Sequence, residues 1–198
     1  MARGDAALMF GRMHTPAYLS GQFLLAMPGM IDPQFDHATI AMCAHDEDGA
    51  LGIGVGATID GLGLHDLLDQ FEIAHGVAPN APVHFGGPVE PRRGFVLHSG
   101  DWGGQDTIDV AGRWSLSSTV DVLRAIADGS GPTRWLVALG YAGWGAGQLD
   151  SELSGPGWFH VDGDATLLFD EPAATRWAGA FAKAGIDPRL LASTTGNA

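Results

Sequence analysis

The chain has 198 residues, enough for one sizeable core and too few for two comfortable ones. Its 23 acidic against 10 basic side chains give a net charge of −13 with no basic tract. That excludes a bare nucleic-acid surface, because phosphate binding is driven by Lys and Arg displacing counterions. The one cysteine excludes an intramolecular disulfide, and no run approaches the ~18 unbroken apolar residues of a spanning helix.

Thirty glycines without a fixed period, in a chain that is 45% hydrophobic, describe a turn-rich globular protein. Residues 1–17 show no sustained periodicity and no unbroken apolar core of a leader. They are expected to be a mobile extension of a single cytoplasmic domain spanning 18–198. Strands are expected at 22–27, 38–44, 50–56, 93–98, 107–110, 134–140 and 158–161, where β-branched and apolar runs end at Gly, Pro or Asp. Leu64, Leu67, Leu68, Phe71 and Ala74 fall on one face of a first helix. A second helix is expected from a Ser118 cap through Val122, Leu123 and Ile126 to Gly129. A third follows Asp170-Glu171-Pro172, with apolar contacts from Ala173, Trp177, Ala180, Phe181 and Ala184 and a stop at Gly185. Asp187-Pro188 starts a short last turn. Clustered strands with few helices between them predict an α+β fold on a mixed sheet.

Three stretches stand out: GQFLLAMPGMIDPQFDHATIAMC at 21–43, HFGGPVEPRRGFVLHS at 84–99 and LVALGYAGWGAGQLDSEL at 136–153. Together they resemble the YqgE/AlgH family of bacterial proteins, from about Leu19 to the C-terminus. The resemblance implies a bent, bifurcated sheet closing into a pseudo-barrel with a few flanking helices, and it implies no established activity. Members are often labelled transcriptional regulators, which fits poorly with an acidic chain lacking a helix-turn-helix pattern. They commonly carry Asn-Arg-Pro after the third strand, where this chain has Gly56-Ala57-Thr58.

Candidate chemistry begins at Cys43. On an uninterrupted strand, Cys43 and His45 would share a face, and a neighbouring imidazolium would favour the thiolate, as the Cys-x-His pattern of the resemblance also suggests. The simpler reading is a small buried hydrophobe. The loop of Gly140, Tyr141, Gly143, Trp144, Gly145, Gly147 and Gln148 runs from a strand into a short helix and would present backbone N–H groups to a small anion or other ligand. It lacks the Lys-Ser/Thr of a phosphate loop, and its glycines equally suit a close crossing around Tyr141 and Trp144.

His84 and His98 could meet if Gly86-Gly87-Pro88 folds two strands back, yet a metal would want a third ligand, so no metal site is expected. Gly52 to Gly56 alternates like a strand and does not open a helix as a dinucleotide turn would. Ser99 sits in no nucleophile elbow. The expected protein is a non-enzymatic binding or indirectly regulatory one, without a cofactor, with an unknown protein or small-molecule partner. The alternatives are a thiol-based redox sensor or enzyme using Cys43 and a ligand module at the Gly140–Gly147 loop.

Overall fold

The computed structural model describes residues 18–30 and 32–192; the expected N-terminal extension, 1–17, lies outside them. Ten strands form one curled, mostly antiparallel sheet, a half-barrel flanked by six α-helices among the described residues. The strands are β1 Gln22–Ala26, β2 Thr39–Asp46, β3 Gly49–Gly54, β4 Thr58–Gly63, β5 Pro82–Phe85, β6 Val89–His98, β7 Ile108–Val110, β8 Trp114–Ser117, β9 Trp135–Gly145 and β10 Trp158–Asp162. Their order is β10-β1-β2-β3-β9-β6-β8-β7, with β4 on β5 and β5 on β9. The helices are α1 Leu64–Gln70, α2 Val120–Asp128, α3 Gln148–Leu153, α4 Ala165–Phe169, α5 Ala173–Lys183 and α6 Pro188–Ala192. A 3-10 turn, Pro33–Phe35, precedes β2.

Strand β9 produces the bifurcation. Its first half, Val137 to Leu139, lies between β5, which is parallel, and β6, which is antiparallel, whereas Ala142 to Gly145 pairs with β3. Gly140, at φ +75°, sits where the sheet divides, in a conformation that glycine adopts without Cβ strain.

Alternation explains why most of the sheet is buried on both faces. Phe23, Ala41, Phe95, Leu97, Leu136 and Ala138 point into the barrel core with Phe181 of α5. Val96 and Val137 point the other way, onto α1 and α2. Leu24, Ile40, Met42, Ala142 and Trp144 form a third cluster with Leu149 of α3. Burial of these side chains stabilises each by about 1.5–3 kcal/mol before entropy is counted.

Several local expectations shift. The first helix ends at Gln70 because Glu72 turns left-handed at φ +55° and Ile73 bonds back to Leu68. Phe71 is therefore half exposed and not part of a continuous buried face. Thr119, not Ser118, occupies the N-cap position of α2 without a side-chain bond to the helix amides, its hydroxyl bonding Asp106, as do the Ser118 amide and hydroxyl at 2.9 and 2.6 Å. Strands β4, β5 and β8 are additional to those the sequence suggests, being short and interrupted by Gly, Pro or Ser. Among the described residues no helix is long and apolar enough to cross a membrane.

Candidate functional site

Cys43 is the extra residue of a β-bulge. Met42 pairs with Gly52 and Ala44 with Leu51, so β2 gains a residue on β3 between them. The added residue changes the alternation. Cys43 stays in the barrel core with Ala41, while His45 lies opposite Ala50, on the face of Met42 and Trp144. The expectation that Cys43 and His45 share a face is thus corrected. The thiol donates to the Ala41 carbonyl at 3.4 Å, and burial pushes its pKa up to about 12. His45 accepts the Leu19 N–H at Nδ1 (3.2 Å), which leaves Nε2 carrying the proton, 3.6 Å from Asp150. This histidine ties the start of the described chain to β2, and its buried Nε2 makes no hydrogen bond among the described residues.

The expected Gly140–Gln148 loop is corrected: Gly140 to Gly145 belong to β9, whose Ala142 to Gly145 pair with β3, and only the turn at 146–147 separates the strand from α3. Gln148 accepts the Gly145 N–H at 3.0 Å and donates to Glu152 at 2.9 Å. The other oxygen of Glu152 accepts both indole N–H groups, from Trp144 at 3.0 Å and Trp158 at 2.9 Å. Glu152, easily taken for a surface acid, is the hub of this clasp. Gly140 serves a backbone crossing: a Cβ on it would sit 2.2 Å from the Gly87 carbonyl, and one on Gly86, across the crossing, would sit 2.1 Å from that of Gly140.

That crossing forms the back of a cavity of about 220 Å³. Its floor is backbone from Gly54, Gly56, Gly86 and Gly87, and its walls include Phe35, Phe85 and Trp177. His37 stands at its mouth, paired with Asp36 at 2.8 Å and set edge-on against the Trp177 ring at 4.4 Å. Thr39 is 1% exposed and its Oγ1 has no hydrogen-bond partner among the described residues. A buried hydroxyl left so costs about 1–3 kcal/mol. Gly56 and Ala57, where the Asn-Arg-Pro of the resemblance would fall, line the same cavity.

Under the floor lies Arg176 of α5, 4% exposed. It donates to the carbonyls of Val55 (2.6 Å) and Leu167 (3.3 Å) and to Nε2 of His84 (2.8 Å). No carboxylate lies within ion-pair distance of it among the described residues. Burial pushes the guanidinium down to about 10, with Glu171 opposing the shift. Guanidinium only donates, so Nε2 of His84 accepts and Nδ1 carries the proton to the Val137 carbonyl at 3.2 Å. Burial, aided by the charge of Arg176, pushes His84 down to about 4. The i, i+4 spacing of Arg176 to Ala180 is the one sequence signal that could have marked it as buried, against its charge, which points to solvent.

His84 and His98 do not meet. They sit on β5 and β6, on opposite edges of β9, because the two strands straddle it instead of folding into a hairpin. His98 bonds Ser99 O at 2.8 Å and Ser117 Oγ at 3.0 Å, and burial lowers its pKa. Among the described residues no group of three His, Cys, Asp or Glu is placed to hold a metal.

Residues 23–189 match the DUF179 family model, described as AlgH-like. A UPF0301 protein of Rhizorhabdus wittichii is 59% identical, covering 94% of this chain and 100% of its own length. One from Rhodospirillum rubrum is 45% identical over 91% of this chain and 95% of its own. The solution structure of AlgH from Pseudomonas aeruginosa superposes with a TM-score of 0.76 at 37% identity, over 100% of both chains. A Corynebacterium diphtheriae protein at 17% identity shares the fold, with a TM-score of 0.72 over 87% of this chain and 91% of its own.

Proposed function

The chain belongs to the AlgH-like family, and we propose that it is a cytoplasmic, non-enzymatic binding protein that takes a small metabolite in the cavity lined by Thr39, Gly56, Gly87 and Trp177. One observation carries this reading: Thr39 lines the cavity and has a buried hydroxyl with no hydrogen-bond partner among the described residues. A ligand with a hydrogen-bonding group would satisfy it, while its body lies against Trp177 and Phe35. The volume, about 220 Å³, is below the ~300–1,000 Å³ of drug-sized sites and suits a small compound better than a nucleotide.

Two of the recognisable sequence blocks support the same place: residues 34–40 and Phe85 to Gly87 line the cavity together with Gly54, Gly56 and Ala57, and Gly140 of the third block lies against Gly87. The bend of β9 at Gly140 on this reading supports the site from behind. Regulation would be indirect, by ligand-dependent contact with a protein partner, because a net charge of −13 opposes direct DNA binding. A thermal-shift screen of metabolites tests the site. Hits should raise the melting temperature of the parent and not that of Ala178→Phe, whose ring would occupy the cavity. Hits that stabilise both proteins equally would overturn the assignment.

A further inference from the structure

A second, larger cleft of about 400 Å³ opens between α1 and α2, over β6 and β9. Leu67 and Phe71 form one wall, Val122 and Leu123 the other, and Val137 and Leu139 the floor. The one charged side chain lining it is Arg92, in a chain with 23 acids and 10 bases. Neighbouring Arg93 is engaged, pairing with Glu90 at 3.0 Å and lying over Phe95. Arg92 has no ion pair among the described residues. The cleft's hydroxyls are already used: Ser117 by His98 and Thr107, Ser118 by Asp106, and Thr119 by Asp106 and Asp121.

Gly94 adds an independent observation. Its backbone is not left-handed, and the nearest atom to a Cβ built there would be a Leu139 methyl at 4.0 Å. Neither backbone conformation nor crowding requires glycine, and a longer side chain would project into the cleft and fill it.

We propose that this cleft binds a small amphipathic carboxylate, with its alkyl body between α1 and α2 and its head group on Arg92. The apolar walls favour the chain, and the lone guanidinium can pair with both carboxylate oxygens. Arg92 is exposed, so a neutral head would leave it to water, and a cationic one would be repelled.

The test is a two-dimensional NMR titration of the full-length chain with octanoate, octanol and octylammonium. Octanoate should bind about tenfold more tightly than either analogue and shift amides of Gly94, Val96 and Val122. Arg92→Gln should bring octanoate down to the affinity of octanol. Gly94→Leu should abolish binding of both while keeping a dispersed spectrum, and the rim variant Phe71→Asp supplies the same test if Gly94→Leu does not fold. Equal affinity for the three compounds, shifts at the Thr39 cavity instead of this cleft, or no binding would overturn the proposal.

Discussion

Arg176 donates a hydrogen bond from Nη1 to Nε2 of His84 at 2.8 Å, joining a helix and a strand 92 residues apart through a buried cation and a neutral imidazole. The same guanidinium holds the carbonyl of Val55, between two glycines of the cavity floor, so it fixes the floor without lining the cavity.

Replacing Arg176 by Met should therefore cost about 3 kcal/mol, because three buried acceptors lose their donor. It should also raise the pKa of His84, part of whose depression comes from the charge of Arg176. Denaturant unfolding and an NMR imidazole titration measure the two effects. A neutral stability change with an unmoved titration would show that the contact is incidental.

His84 also sets an acid limit. Its folded-state pKa, about 4, lies below the ordinary 6.5, so between these values the unfolded chain binds a proton that the native chain does not. Its contribution is complete above about 6.5 and is lost as pH falls towards 4. His84→Gln should flatten this part of the stability profile; an unchanged slope would contradict the assignment.

Cys43 behaves in the opposite sense. Its native pKa of about 12 exceeds that of an exposed thiol, so native alkylation should be slow, and the stability it contributes should fall between about pH 9 and 12. His45→Ala should leave the pH midpoint of alkylation unchanged, because the bulge places the two side chains on opposite faces. A midpoint below that of a free thiol that rises in His45→Ala would restore a thiolate pair.

Strands β1, β2, β3, β7 and β10, parts of β6 and β9, and the ends of α2 and α5 were readable from alternation and from Gly129 and Gly185, which adopt φ of +82° and +73°, whereas β4, β5 and β8 were too short and interrupted. The bulge was not, since nothing in the composition of Thr39–Asp46 marks where an extra residue enters, and one such residue reverses every later side chain. Gly86 was read as a turn residue and Gly140 as part of a loop or a close crossing, but that each lies against the other's strand depends on the topology of β9. Thr39 read as an ordinary strand residue: only the assembled cavity shows that its hydroxyl has nothing to bond. Glu152 and Arg176 were hidden for the same reason, because charge in a sequence points to solvent until the partners that satisfy it are placed.

Thr39→Val conserves shape and removes the hydroxyl. If Oγ1 is unsatisfied in the free protein, the variant should be more stable by about 1 kcal/mol. Chemical denaturation without added ligand measures this directly, and a destabilised variant would mean that the hydroxyl has an internal partner.

The most direct test of the binding site is a crystallographic fragment screen on the parent protein. Fragments should collect between Trp177 and the Gly86-Gly87 backbone, with a polar atom within hydrogen-bonding distance of Thr39 Oγ1, and should be lost from crystals of Thr39→Val. Fragments that occupy other surfaces and leave this cavity empty, or that bind it without touching Thr39, would contradict the account.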